Sequence, residues 1–211
     1  MSVKTNYHFH INQRSKEWHK LRLGRIGGSE SNVLTVKGKS DYGLGAGAIT
    51  LMYEKLFEIK TGQPAKDIFV TDAMQRGIDL EMDAVFEYSQ MEFKEVEECG
   101  FITNSDLQYA GYSPDGLVGE DGLIEVKCPG SIEYMRTLLG GEIPGKYYCQ
   151  MQWGMFISKR KWCDYVVYNP DYEPKPLVVQ RVDRDENFIS NLLQNYLVFQ
   201  AQIELSLLKL K

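Results

Sequence analysis

"SPDGLVGEDGLIEVKCP", residues 113–129, decides how the rest of the chain is read. Pro114-Asp115 opens a turn-prone stretch, Gly119 and Gly122 bracket a second turn, and residues 122–127 read as a strand. Side chains alternate faces along a strand, so Glu125 and Lys127 share one side while Val126 points into the core. The turn folds residues 114–118 back on 123–127 and brings Asp115 near Glu125. Two carboxylates and an amine then meet on one exposed edge. Carboxylates this close repel unless something compensates them. Lys127 does so in part; a divalent cation does so better. Oxygen ligands suit Mg²⁺ or Mn²⁺, and the Val126 carbonyl offers one more. Such a cation acidifies water and makes a nucleophile for phosphodiester attack. Taken alone, the pattern also fits any Asp- and Gly-rich hairpin with charged ends.

The bulk properties agree with a soluble protein. The 211 residues are 43% hydrophobic and 25% charged, as expected for one globular domain over residues 1–211 with a sizeable core. No apolar run is long enough to span a bilayer, and "MSVKTNYHFH" is no signal peptide, so a cytoplasmic protein with no membrane partner is expected. The cysteines Cys99, Cys128, Cys149 and Cys163 form no CxxC pair, which points to reduced, buried thiols. The net charge of −5 is unevenly spread. Residues 1–40 hold eight Lys/Arg against two acids, whereas residues 79–98 hold eight acids against one lysine. A basic arm beside an acidic middle suggests one face for an anionic ligand.

Periodicity supplies the elements. A short helix is expected over 15–23, capped by Ser15 with Trp18 and Leu21 inward, and another from Ser29, followed by a loop over 37–47. Helices follow at 48–61 and at 72–91, the latter with Met74, Ile78, Met82, Val85 and Phe86 as its buried stripe. Strands are expected at 96–103, 108–112, 122–127, 162–169 and 177–182. Further helices start at Ser131, cover 147–158, and end the chain over 186–210. The fold class is α/β, a mixed central sheet flanked by helices.

Pro114-Asp115 followed by Glu125-Val126-Lys127 resembles the PD-(D/E)xK nuclease signature. More specific is an ordered set of blocks: "WHKLRLGRIGGSE" (18–30), "RGIDLEMDA" (76–84), "SPDGL" (113–117), "EVKCP" (125–129), "LGGEIP" (139–144) and "YYCQMQWGMF" (147–156). Together these resemble the phage lambda exonuclease family, the YqaJ-like alkaline exonucleases. The resemblance implies a restriction-endonuclease-like fold. It also implies a Mg²⁺-dependent 5′→3′ exonuclease on double-stranded DNA ends, with two ions and Mn²⁺ as a substitute. Asp115, Glu125, the Val126 carbonyl and Glu81 would bind metal, Lys127 would be the catalytic lysine, and Gln150 would contact the nucleophile or the lysine. Arg22, Ser29 and Ser113 would hold the 5′ phosphate. Arg25 would add to DNA binding, and the doubled glycine of "GRIGGSE" predicts a flexible loop. The family further implies a homotrimeric ring, a single-strand annealing partner and a phage or prophage origin in a bacterial host. Two other readings compete. A restriction-like endonuclease needs a base-reading element that the chain does not offer. A non-catalytic DNA-end-binding scaffold has no use for acids beside a phosphate.

Overall fold

A computed structural model describes residues 5–40, 42–67 and 69–210. The first four residues of the basic arm, Lys4 included, lie outside the described residues. The described elements run β1 (Thr5–Tyr7), α1 (Lys16–Arg22), a 3-10 helix (Gly28–Thr35), α2 (Ala46–Thr61), α3 (Asp72–Glu92), β2 (Val96–Glu97) and β3 (Ile102–Asn104). Then come β4 (Gly116–Val118), β5 (Gly122–Lys127), α4 (Ser131–Leu138), α5 (Gly145–Ser158), β6 (Trp162–Tyr168), β7 (Leu177–Asp183) and α6 (Glu186–Lys209).

Among the described residues the main sheet has five strands in the order β2-β4-β5-β6-β7, and β1 pairs with β3 in a small separate ribbon. β5 and β6 run parallel, with α4 and α5 in the connection between them, while the other neighbours are antiparallel. The sheet is therefore mixed and covered by helices on both faces. One core packs Leu123, Cys163, Tyr165 and Val167 with buried residues of α2, α5 and α6. A smaller core packs Ile124, Val126 and Val166 against Ala84 and Tyr88 of α3. Alternation along β5 sorts its side chains between these two layers. Spacing predicts Phe188, Leu192, Tyr196, Phe199 and Ile203 as the inward stripe of the tail helix; the last four are buried, while Phe188 is half-buried and Ile189 is buried in its place.

Several expectations are corrected. The buried stripe of α3 is not the predicted one: Met74, Met82 and Phe86 are exposed, and Ala84 and Tyr88 face the sheet. The small Ala84 admits close approach, and the Tyr88 hydroxyl finds Asp164 Oδ2 at 2.7 Å. The strand expected over 96–103 is two separate pieces in two sheets. Residues 108–112 form no strand; Ala110 and Tyr112 make single bridges to Ile26 and Ile102. The helix expected from Ser29 is a 3-10 helix beginning at Gly28. The doubled glycine is not a source of slack. A side chain on Gly28 would meet the Tyr112 ring at 2.9 Å, so glycine is there to let the backbone pack.

Candidate active site

The hairpin read from the sequence is present. Gly116, Leu117 and Val118 pair with Ile124, Leu123 and Gly122, and Gly119 turns the chain with a φ of 54°. Arg160, itself buried, fastens this turn by donating from Nη1 to the carbonyls of Gly119 at 2.8 Å and Gly122 at 2.5 Å. Asp115 precedes β4 and accepts the Val126 amide on Oδ2 at 2.7 Å. That bond sets the first carboxylate against the middle of the Glu125-Val126-Lys127 triplet.

The expected exposed edge is corrected. β5 lies between β4 and β6, and Glu125 is fully buried, with Tyr165 of β6 as its register partner. The Tyr112 hydroxyl donates to Glu125 Oε2 at 3.2 Å, and Lys127 Nζ donates to Glu125 Oε1 and to the Val126 carbonyl at 2.9 Å. Burial pushes the Glu125 carboxyl up to about 7, with Lys127 opposing and Asp115 adding to the rise. Burial likewise raises Asp115, against the pull of Lys127, the Val126 amide and Arg14. For Lys127, burial opposes the charge, but Glu125 and Asp115 outweigh it and hold the amine above the ordinary lysine value. The Tyr147 ring of α5 lies 5.1 Å from the ammonium.

Glu81 of α3 joins the cluster. Burial raises its carboxyl, Asp115 raises it further, and Arg14 and Lys127 pull it down. Its partner is Arg14, whose Nη2 lies 2.6 Å from Glu81 Oε2. Gln150 of α5 lies beside Gly28, its Cγ 3.2 Å from where a side chain on that glycine would begin, and no hydrogen bond ties it to the carboxylates or to Lys127 among the described residues. The donors fit a hard divalent cation in kind: oxygen atoms only, on carboxylates that repel one another, with Glu125 fully buried. Lys127 and Arg14 occupy these oxygens instead, and no group of three or more His, Cys, Asp or Glu among the described residues is preset to hold a metal.

Arg22 and Ser113 form the second part. Ser113 Oγ accepts from Trp18 Nε1 at 2.9 Å and from Arg22 Nη1 at 3.3 Å, and the guanidinium stacks 4.2 Å above the Trp18 ring. Burial lowers the Arg22 pKa, with Glu30 and Glu58 offsetting it. A buried Lys55 ties Glu30 at 3.0 Å to Glu58 at 3.3 Å, and these acids accept the Gly27 and Gly24 amides. The network fixes the loop from Gly24 to Glu30 behind Arg22. Ser29 is exposed on the 3-10 helix and does not cap it; Gly27 stands at the cap. Arg25 turns back to the Leu21 carbonyl at 2.6 Å and is not drawn to Ser113.

Sequence reasoning missed Arg14, Tyr112 and Gln13. Gln13 Nε2 donates to the carbonyls of Pro114 at 2.7 Å and Cys99 at 3.2 Å. All three act across long sequence separations, and none belongs to a local motif.

The chain matches known proteins over most of its length. Residues 17–161 match the family model of the YqaJ-like viral recombinase domain. The fold is similar to the crystal structure of an alkaline exonuclease, LHK-Exo, from Laribacter hongkongensis, with a TM-score of 0.83 and 31% identity, covering 93% of this chain and 96% of that one. The same exonuclease in complex with dAMP gives a TM-score of 0.83 at 32% identity, over 93% of this chain and 96% of that one. A phage related exonuclease from Haemophilus somnus 129PT shares the fold, with a TM-score of 0.64 at 14% identity, covering 89% of this chain and 96% of that one. No curated protein matches.

Proposed function

The chain belongs to the YqaJ-like viral recombinase domain family, and on that premise we propose that it is a divalent-cation-dependent 5′→3′ exonuclease of linear duplex DNA. The carrying observation is one hairpin that joins Asp115 to the Val126 amide and Lys127 to Glu125, with Glu81 near enough to feel the charges of Asp115 and Lys127. An exonuclease at 31% identity over nearly the whole chain supports the chemistry, and a relative binding dAMP fits release of single nucleotides.

Asp115, Glu125, Glu81 and the Val126 carbonyl would hold Mg²⁺ or Mn²⁺, with two ions as the working number. When bound, the cation supplies an acidified water and positive charge at the scissile phosphate. The remaining work belongs to the chain. Lys127, whose ammonium reaches Glu125 and the Val126 carbonyl, would act as a cation and hydrogen-bond donor to the developing phosphorane charge. Tyr112 fixes one Glu125 oxygen and leaves the other directed at the lysine side. Gln150 would contact the nucleophile or Lys127.

Arg22 and Ser113 would bind the terminal 5′ phosphate, with the Trp18 ring holding the guanidinium flat. Ser29 would add a hydroxyl and Arg25 a more distant charge. Anchoring the terminal phosphate sets the next phosphodiester over the carboxylates and leaves 3′ single-stranded tails. Such tails suit a single-strand annealing protein as partner. We further read the assembly as a closed homotrimer around the duplex, acting in the cytoplasm of a bacterial host and encoded by a phage or prophage. Among the described residues no helix is long and apolar enough to cross a membrane.

The test is digestion of linear and closed-circular duplex with and without Mg²⁺. The reading expects mononucleotides and 3′ tails from the linear form in Mg²⁺, with the circle intact. Cutting of the circle would favour an endonuclease, and tight end binding without cleavage would favour a scaffold.

A further inference from the structure

Arg14 belongs to no motif of the sequence, yet it reaches the carboxylate cluster. Its φ of 66° lies in the left-handed region, where a residue with a side chain is disfavoured. Its neighbours hold it there. Gln13 is tied to the Pro114 carbonyl at 2.7 Å, and Ser15 Oγ caps α1 by accepting the Trp18 amide at 3.1 Å. Residues 13–15 are thus a strap between the Asp115 turn and the helix carrying Arg22. From this strap the guanidinium contacts Glu81 at 2.6 Å, and its charge is felt at Asp115.

The Arg14 side chain remains 48% exposed, so this is a solvent-screened pair that exchanges partners at low cost. Glu81, Asp115 and Glu125 outnumber the cations Lys127 and Arg14 beside them by one. A divalent cation adds two positive charges there. Glu81 then has a stronger partner, and a planar guanidinium beside it faces incoming DNA with its donors free.

We propose that Arg14 is a phosphate-binding residue for the strand being cut, screening Glu81 until a divalent cation arrives and then moving to a backbone phosphate. The proposal rests on reading Glu81, Asp115 and Glu125 as the cation site. It frees a phosphate-binding guanidinium only where metal is in place.

The test uses the full chain carrying Arg14→Gly, which removes the guanidinium and relaxes the left-handed backbone, so thermal stability should not fall. Mn²⁺ titration calorimetry should show severalfold tighter binding, because a competitor for Glu81 is gone. A short 5′-phosphorylated duplex in Ca²⁺ should bind on the order of tenfold more weakly, with a salt slope smaller by about one contact. Arg14→Lys should keep most of that slope. Unchanged duplex affinity in Arg14→Gly overturns the proposal, as does weaker Mn²⁺ binding or a lowered melting temperature. Asp115→Asn run in parallel separates the two claims. If it binds Mn²⁺ as the wild type does, the cation site fails and the Arg14 role falls with it. If it loses Mn²⁺ while Arg14→Gly binds duplex normally, the cation site stands and only the Arg14 role is lost.

Discussion

Lys127 donates to Glu125 and to the Val126 carbonyl, two of the oxygens assigned to the cation. Its charge acts on the transition state, whereas duplex affinity is spread over many phosphate contacts. Lys127→Ala should therefore lower turnover about a hundredfold to a thousandfold, roughly 2.7–4 kcal/mol, and leave end binding in Ca²⁺ nearly unchanged. Single-turnover kinetics beside fluorescence anisotropy measure the two; normal turnover removes Lys127 from the mechanism. Arg22 makes a different kind of claim. A terminal phosphate carries more charge than an internal diester, so Arg22→Ala should slow 5′-phosphorylated duplex far more than 5′-hydroxyl duplex. Equal slowing with a lowered melting temperature would mean that Arg22 serves only to pack on Trp18 and bond Ser113. At this scale the sequence was legible where the chemistry is local. Asp115, Glu125 and Lys127 fall out of strand alternation and one turn, while Glu81 needed the family resemblance. Arg14 and Tyr112 were hidden because their partners, Glu81 and Glu125, are chosen by tertiary packing.

The β4–β5 hairpin is the element on which the site depends. Arg160 closes its turn, donating to the Gly119 and Gly122 carbonyls from a buried position just past α5. Arg160→Ala leaves those acceptors without their donor. It should cost about 2–3 kcal/mol in urea unfolding and loosen Asp115 relative to Glu125. A variant as stable as the wild type would show that the turn holds without this staple. Helix α3 illustrates where element-scale reading stopped. Its apolar residues lie on more than one side, so spacing alone did not say which side meets the sheet. Ala84 and Tyr88 are inward because a small residue permits contact and a phenol finds the buried Asp164, held also by Arg181 Nη2 at 2.8 Å. Burial of Glu125 was equally invisible, since which strands flank β5 depends on a crossover through two helices.

At the scale of the molecule, the mispredicted stripe has a consequence. Met82 is 79% and Phe86 62% exposed on α3, within the acidic stretch. On the proposed ring, these exposed side chains are the candidates for a contact between copies, since heterologous contacts can close into rings. Light scattering at micromolar concentration should give three times the 24.2 kDa chain mass, and Met82→Glu with Phe86→Glu should shift it towards monomer. A wild-type monomer would remove the ring. The layered α/β class was legible because strand alternation and helix periodicity are local signals. The separate β1–β3 ribbon was not, since three-residue strands carry too little pattern to register.

The most direct test follows nucleotide release from a linear duplex labelled internally on one strand and carrying a 5′ phosphate on that strand alone. Wild type and Asp115→Asn are compared, each in Mg²⁺ and in chelator. The account predicts mononucleotides from the 5′-phosphorylated strand, first from its 5′ end, only for wild type in Mg²⁺. Release in chelator, release by Asp115→Asn at the wild-type rate, or release from the 3′ end would contradict it.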